Sequence, residues 1–256
     1  MLKTTSSKEK REIIVFSVTV IIMSSLVCYV SYKSNNPNIS FLSVFVPSAL
    51  ALALTAIASG GKGVFELFVQ QTIRKTALKW FLVSLIGIPI VASLAMLTSL
   101  QFDISRFHLR TTQLLPEVIV IVLIAIGEEY GWRGYLLPRL MKNLNVFHSS
   151  LLLGFIWGLW HFPAYLIGTG VPQEMEFLVF LVWVILGTLF ISWIYYYTRN
   201  VLTAIFVHIS ANAAFNYLPI LPEFSGSMDA FWGLVLYLTI LILVVYYFGR
   251  KDLMKA

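Results

Sequence analysis

The sequence predicts an all-α, polytopic transmembrane helix bundle of about eight spans, with both termini in the cytoplasm. Three observations carry this. The 256 residues are 59% apolar, with a mean hydropathy of +0.84. Only 12% are charged, against about 25% in a soluble domain. The lysines and arginines also gather in alternate connections. Such a chain fits one integral-membrane domain over residues 1–256 and leaves no room for a second, soluble one.

The spans follow from runs of about 20 apolar residues. They are predicted at Ile13–Tyr32, Ser40–Ser59, Trp80–Leu100, Pro116–Leu137, His148–Ile167, Phe177–Thr198, Val201–Leu218 and Phe231–Phe248. The first run is longer than a signal-peptide core and no Ala-x-Ala site follows it, so it reads as a retained span. Only Arg199-Asn200 separates the sixth run from the seventh, which predicts a tight helical hairpin. Gly60 to Lys79 mixes apolar and basic residues. It fits a basic amphipathic helix on the inner leaflet or a surface loop with a partial helix. The connection Gln101 to Leu115, with Asp103, Arg106, His108 and Arg110, reads as solvated.

The net charge of +6 and the pI near 9.4 would suggest nucleic-acid binding in a soluble protein. Here the charge has another origin. Except for Lys33, Arg106, Arg110 and Arg133, every Lys and Arg falls on the side of the N-terminus. That is the positive-inside pattern, and it points to the lipid bilayer rather than nucleic acid as the partner. The single cysteine, Cys28, can form no internal disulfide and no Cys-based metal site.

One span breaks the apolar pattern. Gly127-Glu128-Glu129-Tyr130-Gly131-Trp132-Arg133-Gly134 places two carboxylates and a guanidinium at membrane depth. One such charge costs roughly 2.5–3.5 kcal/mol at a helix centre, so a cluster marks a functional site. Glu129 and Arg133 are i, i+4 and can pair; Glu128 is turned about 100° away and can face a cavity. The fifth span carries Trp157-Gly158-Leu159-Trp160-His161-Phe162-Pro163, where Pro163 should kink the helix. The seventh carries His208 and Asn212 at i, i+4, with Asn216 continuing the stripe. Alone, each of these is explained by a helix–helix hydrogen bond or a structural clip. Together, on three helices in an apolar core, they point to one shared site.

The chemistry of the set narrows the reaction. Neither Gly-x-Ser-x-Gly nor His-Glu-x-x-His is present. A carboxylate in a low-dielectric site can serve as general base near neutral pH, with a nearby His helping to hold water. A second His and an Asn amide can stabilise an oxyanion. The set suits a water-activating peptidase on chemistry alone. Two His and a carboxylate also leave a metal such as zinc open.

The residues Glu128-Glu129-x-x-x-Arg133, Trp157-x-x-x-His161 and His208-x-x-x-Asn212 resemble the three motifs of the CPBP family. That family contains the type II CAAX prenyl proteases and bacterial relatives linked to bacteriocin processing or immunity. The fit covers roughly residues 116–217, the expected catalytic core. The resemblance implies a glutamic intramembrane endopeptidase with no cofactor. It implies that Glu128 and His161 activate the attacking water and that His208 and Asn212 stabilise the oxyanion. Glu129 and Arg133 would support the site. Trp157 stands where the family has Phe, and a large aromatic there is expected to change the mechanism little. The expected substrate is a peptide or membrane protein, cut within or near the inner leaflet of a bacterial cell membrane by a multi-pass enzyme. Two other readings remain at this point: a non-catalytic immunity or scaffold protein, and a proton-coupled transporter using the same groups. The transporter would often show internal repeats, and none is visible.

Overall fold

The computed structural model describes residues 7–103, 109, 114–172 and 175–254. The predicted connector residues Arg106, His108 and Arg110 lie outside the described residues, as do Lys3, Glu174 and Lys255. Among the described residues, all regular structure is helical.

Among the described residues, the long helices fall into eight successive segments, here called passes. The first is α1 (Ser7–Lys33). The second starts as a nine-residue 3₁₀ segment, Pro37–Phe45, and continues as α2 (Val46–Phe65) and a short π-helical stretch, Glu66–Gln70. The third is α3 (Leu78–Ser99). The fourth is built from α4 (Leu114–Glu129), a π-helical stretch at Tyr130–Leu136, and α5 (Leu137–Leu140). The fifth is α6 (Val146–Trp160) followed by α7 (Phe162–Leu166). The sixth and seventh are α8 (Phe177–Thr198) and α9 (Val201–Tyr217). A single turn, α10 (Pro222–Ser225), precedes the eighth, α11 (Asp229–Phe248), and α12 (Arg250–Leu253) follows it. Six passes are long and apolar enough to cross a membrane. The other two, the fourth and fifth, are the ones whose runs are interrupted by the charged and kinked motifs. The protein is a multi-pass membrane protein.

Predicted and observed spans agree closely at Phe177–Thr198, and differ most in the second pass, which runs on to Gln70. Gly60 takes φ 60°, ψ −160°, which only glycine adopts easily, and it breaks the second helix there. Beyond it the chain is helical only to Gln70, so Gly60 to Lys79 is a partial helix followed by an irregular turn. Arg199 in the left-handed conformation ends α8, and the Asn200 carboxamide oxygen accepts from Leu202 N to start α9. This is the tight hairpin expected from Arg199-Asn200.

The basic connections share one end of the bundle. Arg139 Nε bonds Glu12 Oε2 at 2.9 Å and Lys142 Nζ bonds Glu9 Oε1 at 3.0 Å. Asn200 Nδ2 donates to Arg74 O, and Asn145 Nδ2 to Met254 O. These bonds tie one connection to the N-terminal turn and the C-terminal segment, and two further connections to each other.

Two glycines let the motif helix meet α2. A Cβ at Gly127 would lie 2.7 Å from Val44 O, and one at Gly131 would lie 2.5 Å from the Pro47 carbonyl carbon. They are i, i+4, so they form one face on which the second pass lies backbone to backbone, as small residues permit in membranes. Their contact fixes the fourth pass against the second, whose Val44 also borders the cavity. Gly131→Ala is expected to lower stability by about 1–3 kcal/mol, because a backbone cannot give way as a side chain can. Gly187→Ala, where a Cβ meets nothing within 4 Å, should change it by less than about 0.5 kcal/mol. Thermal unfolding of both variants in one detergent checks the pair; equal effects would contradict the packing account.

Candidate active site

The fourth pass widens where its charges sit. Residues Tyr130–Leu136 are π-helical, and Leu137 N bonds Trp132 O. Such stretches occur mostly at functional sites. Pro138 explains part of it. It has no N–H, so the Gly134 carbonyl four residues earlier loses its helical donor. Gln71 Nε2 supplies one at 3.2 Å. The widened turn is also held at its start, where Tyr130 Oη and Thr72 Oγ1 lie 2.7 Å apart.

Within this turn the expected division of charges is present as geometry. Arg133 Nη1 donates to Glu129 Oε1 at 2.7 Å, and both side chains are fully buried. His208 Nδ1 lies 2.8 Å from the same oxygen. The guanidinium carbon sits 4.4 Å from the centre of the Trp157 ring, a cation–π contact. Among the described residues, Arg133 Nε and Nη2 have no hydrogen-bond partner, and the contacts to the guanidinium are this ring face and Glu129. Glu128 turns the other way, into a cavity of about 950 Å³ that His161, His208 and Asn212 also line.

Trp157 holds two of the site residues at once. Its indole Nε1 donates to Glu128 Oε2 at 2.7 Å. Its backbone carbonyl lies 2.9 Å from His161 Nδ1. A carbonyl can only accept, so the proton sits on Nδ1 and His161 Nε2 carries a lone pair when the ring is neutral. The ring is packed edge-on against Trp160 and Phe180, at 4.7 and 4.9 Å between centroids. Trp160 is fixed in turn by its Nε1 bond to Ser24 Oγ at 2.6 Å. The kink predicted from Pro163 falls at His161 itself, which separates α6 from α7.

All six motif residues therefore come together, from the fourth, fifth and seventh passes. His208 is tied differently from expectation. As donor to an ionised Glu129 through Nδ1, it can donate a second hydrogen bond from Nε2 only when doubly protonated. Asn212 lines the cavity, and its backbone carbonyl accepts from Asn216 Nδ2 at 2.8 Å. Among the described residues, no group of three or more His, Cys, Asp or Glu is placed to hold a metal ion.

One reading from the sequence needs correction. Trp157 is more than a large aromatic replacing Phe, because a phenyl ring has no N–H for Glu128. The signal was present: Trp brings an N–H donor to an apolar wall. The cavity also has a direction. The cavity is bordered by Pro37, Pro116, Thr169 and Leu221, all at the end opposite the basic connections. The sequence showed which residues meet but not towards which end the helices part.

The Trp157–Glu128 bond is measurable. Trp157→Phe leaves a buried carboxylate oxygen without its donor and is expected to cost about 1–3 kcal/mol of stability. In a cycle with Glu128→Ala, which removes the acceptor, the two changes should couple by roughly 0.5–3 kcal/mol. Additive losses in thermal unfolding would show that the bond contributes nothing.

Residues 110–214 match the family described as type II CAAX prenyl endopeptidase Rce1-like. A relative named CAAX prenyl protease 2, from Methanococcus maripaludis, is 34% identical over 94 residues, which cover 34% of this chain and 35% of that protein. The match spans about a third of the length of that curated relative. The resemblance first read from three short motifs is thus borne out across the helices that carry them. Over residues 110–214, which hold Glu128, Glu129, Arg133, His161, His208 and Asn212, the chain is similar to the Rce1-like type II CAAX prenyl endopeptidases.

Proposed function

We propose that the protein is an intramembrane endopeptidase that hydrolyses a peptide bond of a membrane-associated protein or peptide. The observation that carries this reading is the pairing of a buried carboxylate, Glu128, with His161 on one cavity wall, both held through Trp157. The likeness of residues 110–214 to endopeptidases supports it.

In this mechanism Glu128 takes a proton from a water that His161 Nε2 helps to orient. The water oxygen bonds to the peptide carbonyl carbon; Asn212, and His208 in its doubly protonated form, donate to the oxyanion that forms. The C–N bond then breaks. The proton held by Glu128 passes to the departing amine, so no group is consumed. Glu129 and Arg133 take no part in proton transfer; they fix His208 and Trp157. No step is routed through a metal.

Glu128→Ala and His161→Ala are each expected to abolish cleavage, by 10²-fold or more on the scale of general-base loss, while the protein still inserts and folds. Comparison of processed peptide termini in membranes from wild type and Glu128→Ala provides the readout. Chelation should leave wild-type processing unchanged. Undiminished processing in folded Glu128→Ala would defeat the mechanism and favour a non-catalytic immunity or scaffold role.

A further inference from the structure

The cavity has a direction. Along α4 its lining is Glu117, Val120, Ile121, Ile124 and Glu128. Their spacing makes one helical stripe. The stripe runs from the bundle end at Glu117 to the site at Glu128. Around the mouth stand Phe41, Pro172 and Phe224, from three other connections at that same end. The bonds of Arg139, Lys142, Asn145 and Asn200 gather the basic connections at the opposite end. Basic connections face the cytoplasm in membrane proteins. The mouth therefore faces away from it.

The mouth also has a sign and a depth. Glu117 and Glu223 stand at it, and no Lys or Arg is among the described lining residues. The wall between mouth and site is mostly aliphatic and aromatic, with Val120, Ile124, Trp183 and Phe215 among its residues. From Glu117 to Glu128 an α-helix rises roughly 16 Å at 1.5 Å per residue. An extended chain covers that distance in about five residues.

We propose that the site takes its substrate from the non-cytoplasmic side, as an extended apolar peptide segment of about five residues with a cationic flank left at the mouth. This rests on the peptidase reading for what happens at Glu128, but not for binding. The apolar segment matches the wall, and the cationic flank matches Glu117 and Glu223. A segment with an acidic flank would bring like charges together at the rim.

The test has two arms. In a Cys28→Ala background, Glu223→Cys and Lys142→Cys are treated with a membrane-impermeant maleimide, in intact spheroplasts and after lysis. The proposal expects Glu223→Cys to label in intact cells and Lys142→Cys only after lysis; the reverse pattern overturns it. In the second arm, two fluorescent peptides share a five-residue apolar segment and differ only in a Lys or Glu flank. Their binding to Glu128→Gln protein in nanodiscs is measured at low salt. The Lys-flanked peptide should bind roughly tenfold tighter, and Glu223→Lys should narrow that gap. Equal binding, or tighter binding of the Glu-flanked peptide, overturns the proposal. Because the binding variant lacks the proposed base, this arm stands or falls apart from proteolysis. Failure of the peptidase reading would show instead as unaltered termini in Glu128→Ala membranes.

Discussion

The buried ion pair between Glu129 and Arg133 is the constraint on which the site depends. Both side chains are shut away from water and bonded at 2.7 Å. Removing one partner of such a pair costs about 3–5 kcal/mol, because the other charge is left stranded. The pair reaches two further helices. His208 on α9 bonds the same Glu129 oxygen, and Trp157 on α6 lays its ring on the guanidinium. One i, i+4 contact inside the fourth pass thereby sets the position of groups on the fifth and seventh. Glu128 is kept out of this arrangement. It bonds the Trp157 indole and otherwise faces the cavity.

The helix geometry around the pair serves the same end. A Pro at 138 and glycines at 131 and 134 weaken the regular ladder, and the chain widens into a π-helical turn. Gln71, from the turn that follows the second pass, donates to the Gly134 carbonyl that Pro138 leaves without a donor, and Thr72 bonds the Tyr130 hydroxyl at the start of the stretch. The close contact of Gly127 and Gly131 with Val44 and Pro47 braces the turn against the second pass, which also supplies part of the cavity wall.

Much of this was legible in the sequence, for identifiable reasons. Charges in an apolar run are costly, so Glu128, Glu129 and Arg133 announced themselves. The i, i+4 rule paired Glu129 with Arg133, and Pro163 marked the kink near His161. What stayed hidden depends on distance between segments. Nothing local to Trp157 says that its indole reaches Glu128 on another helix, nor that His208 is bonded to Glu129. The π turn was hidden because its cause is shared between Pro138 and a glutamine some sixty residues upstream, Gln71. The direction of the cavity was hidden because hydropathy orients helices but does not show where they splay. The resemblance to CAAX-type endopeptidases covers the motif helices and says nothing of that direction.

The central claim is that two adjacent glutamates have opposite duties, Glu129 to support and Glu128 to work. A double-mutant cycle in thermal unfolding tests it directly, using Glu129→Leu and Arg133→Met beside Glu128→Gln. Each single change in the pair should cost about 3–5 kcal/mol, and the double change should cost no more than either alone. Glu128→Gln should lie within about 1 kcal/mol of wild type, since an amide still accepts from Trp157. Additive losses at Glu129 and Arg133, or a Glu128→Gln loss as large as that of Glu129→Leu, would contradict the account.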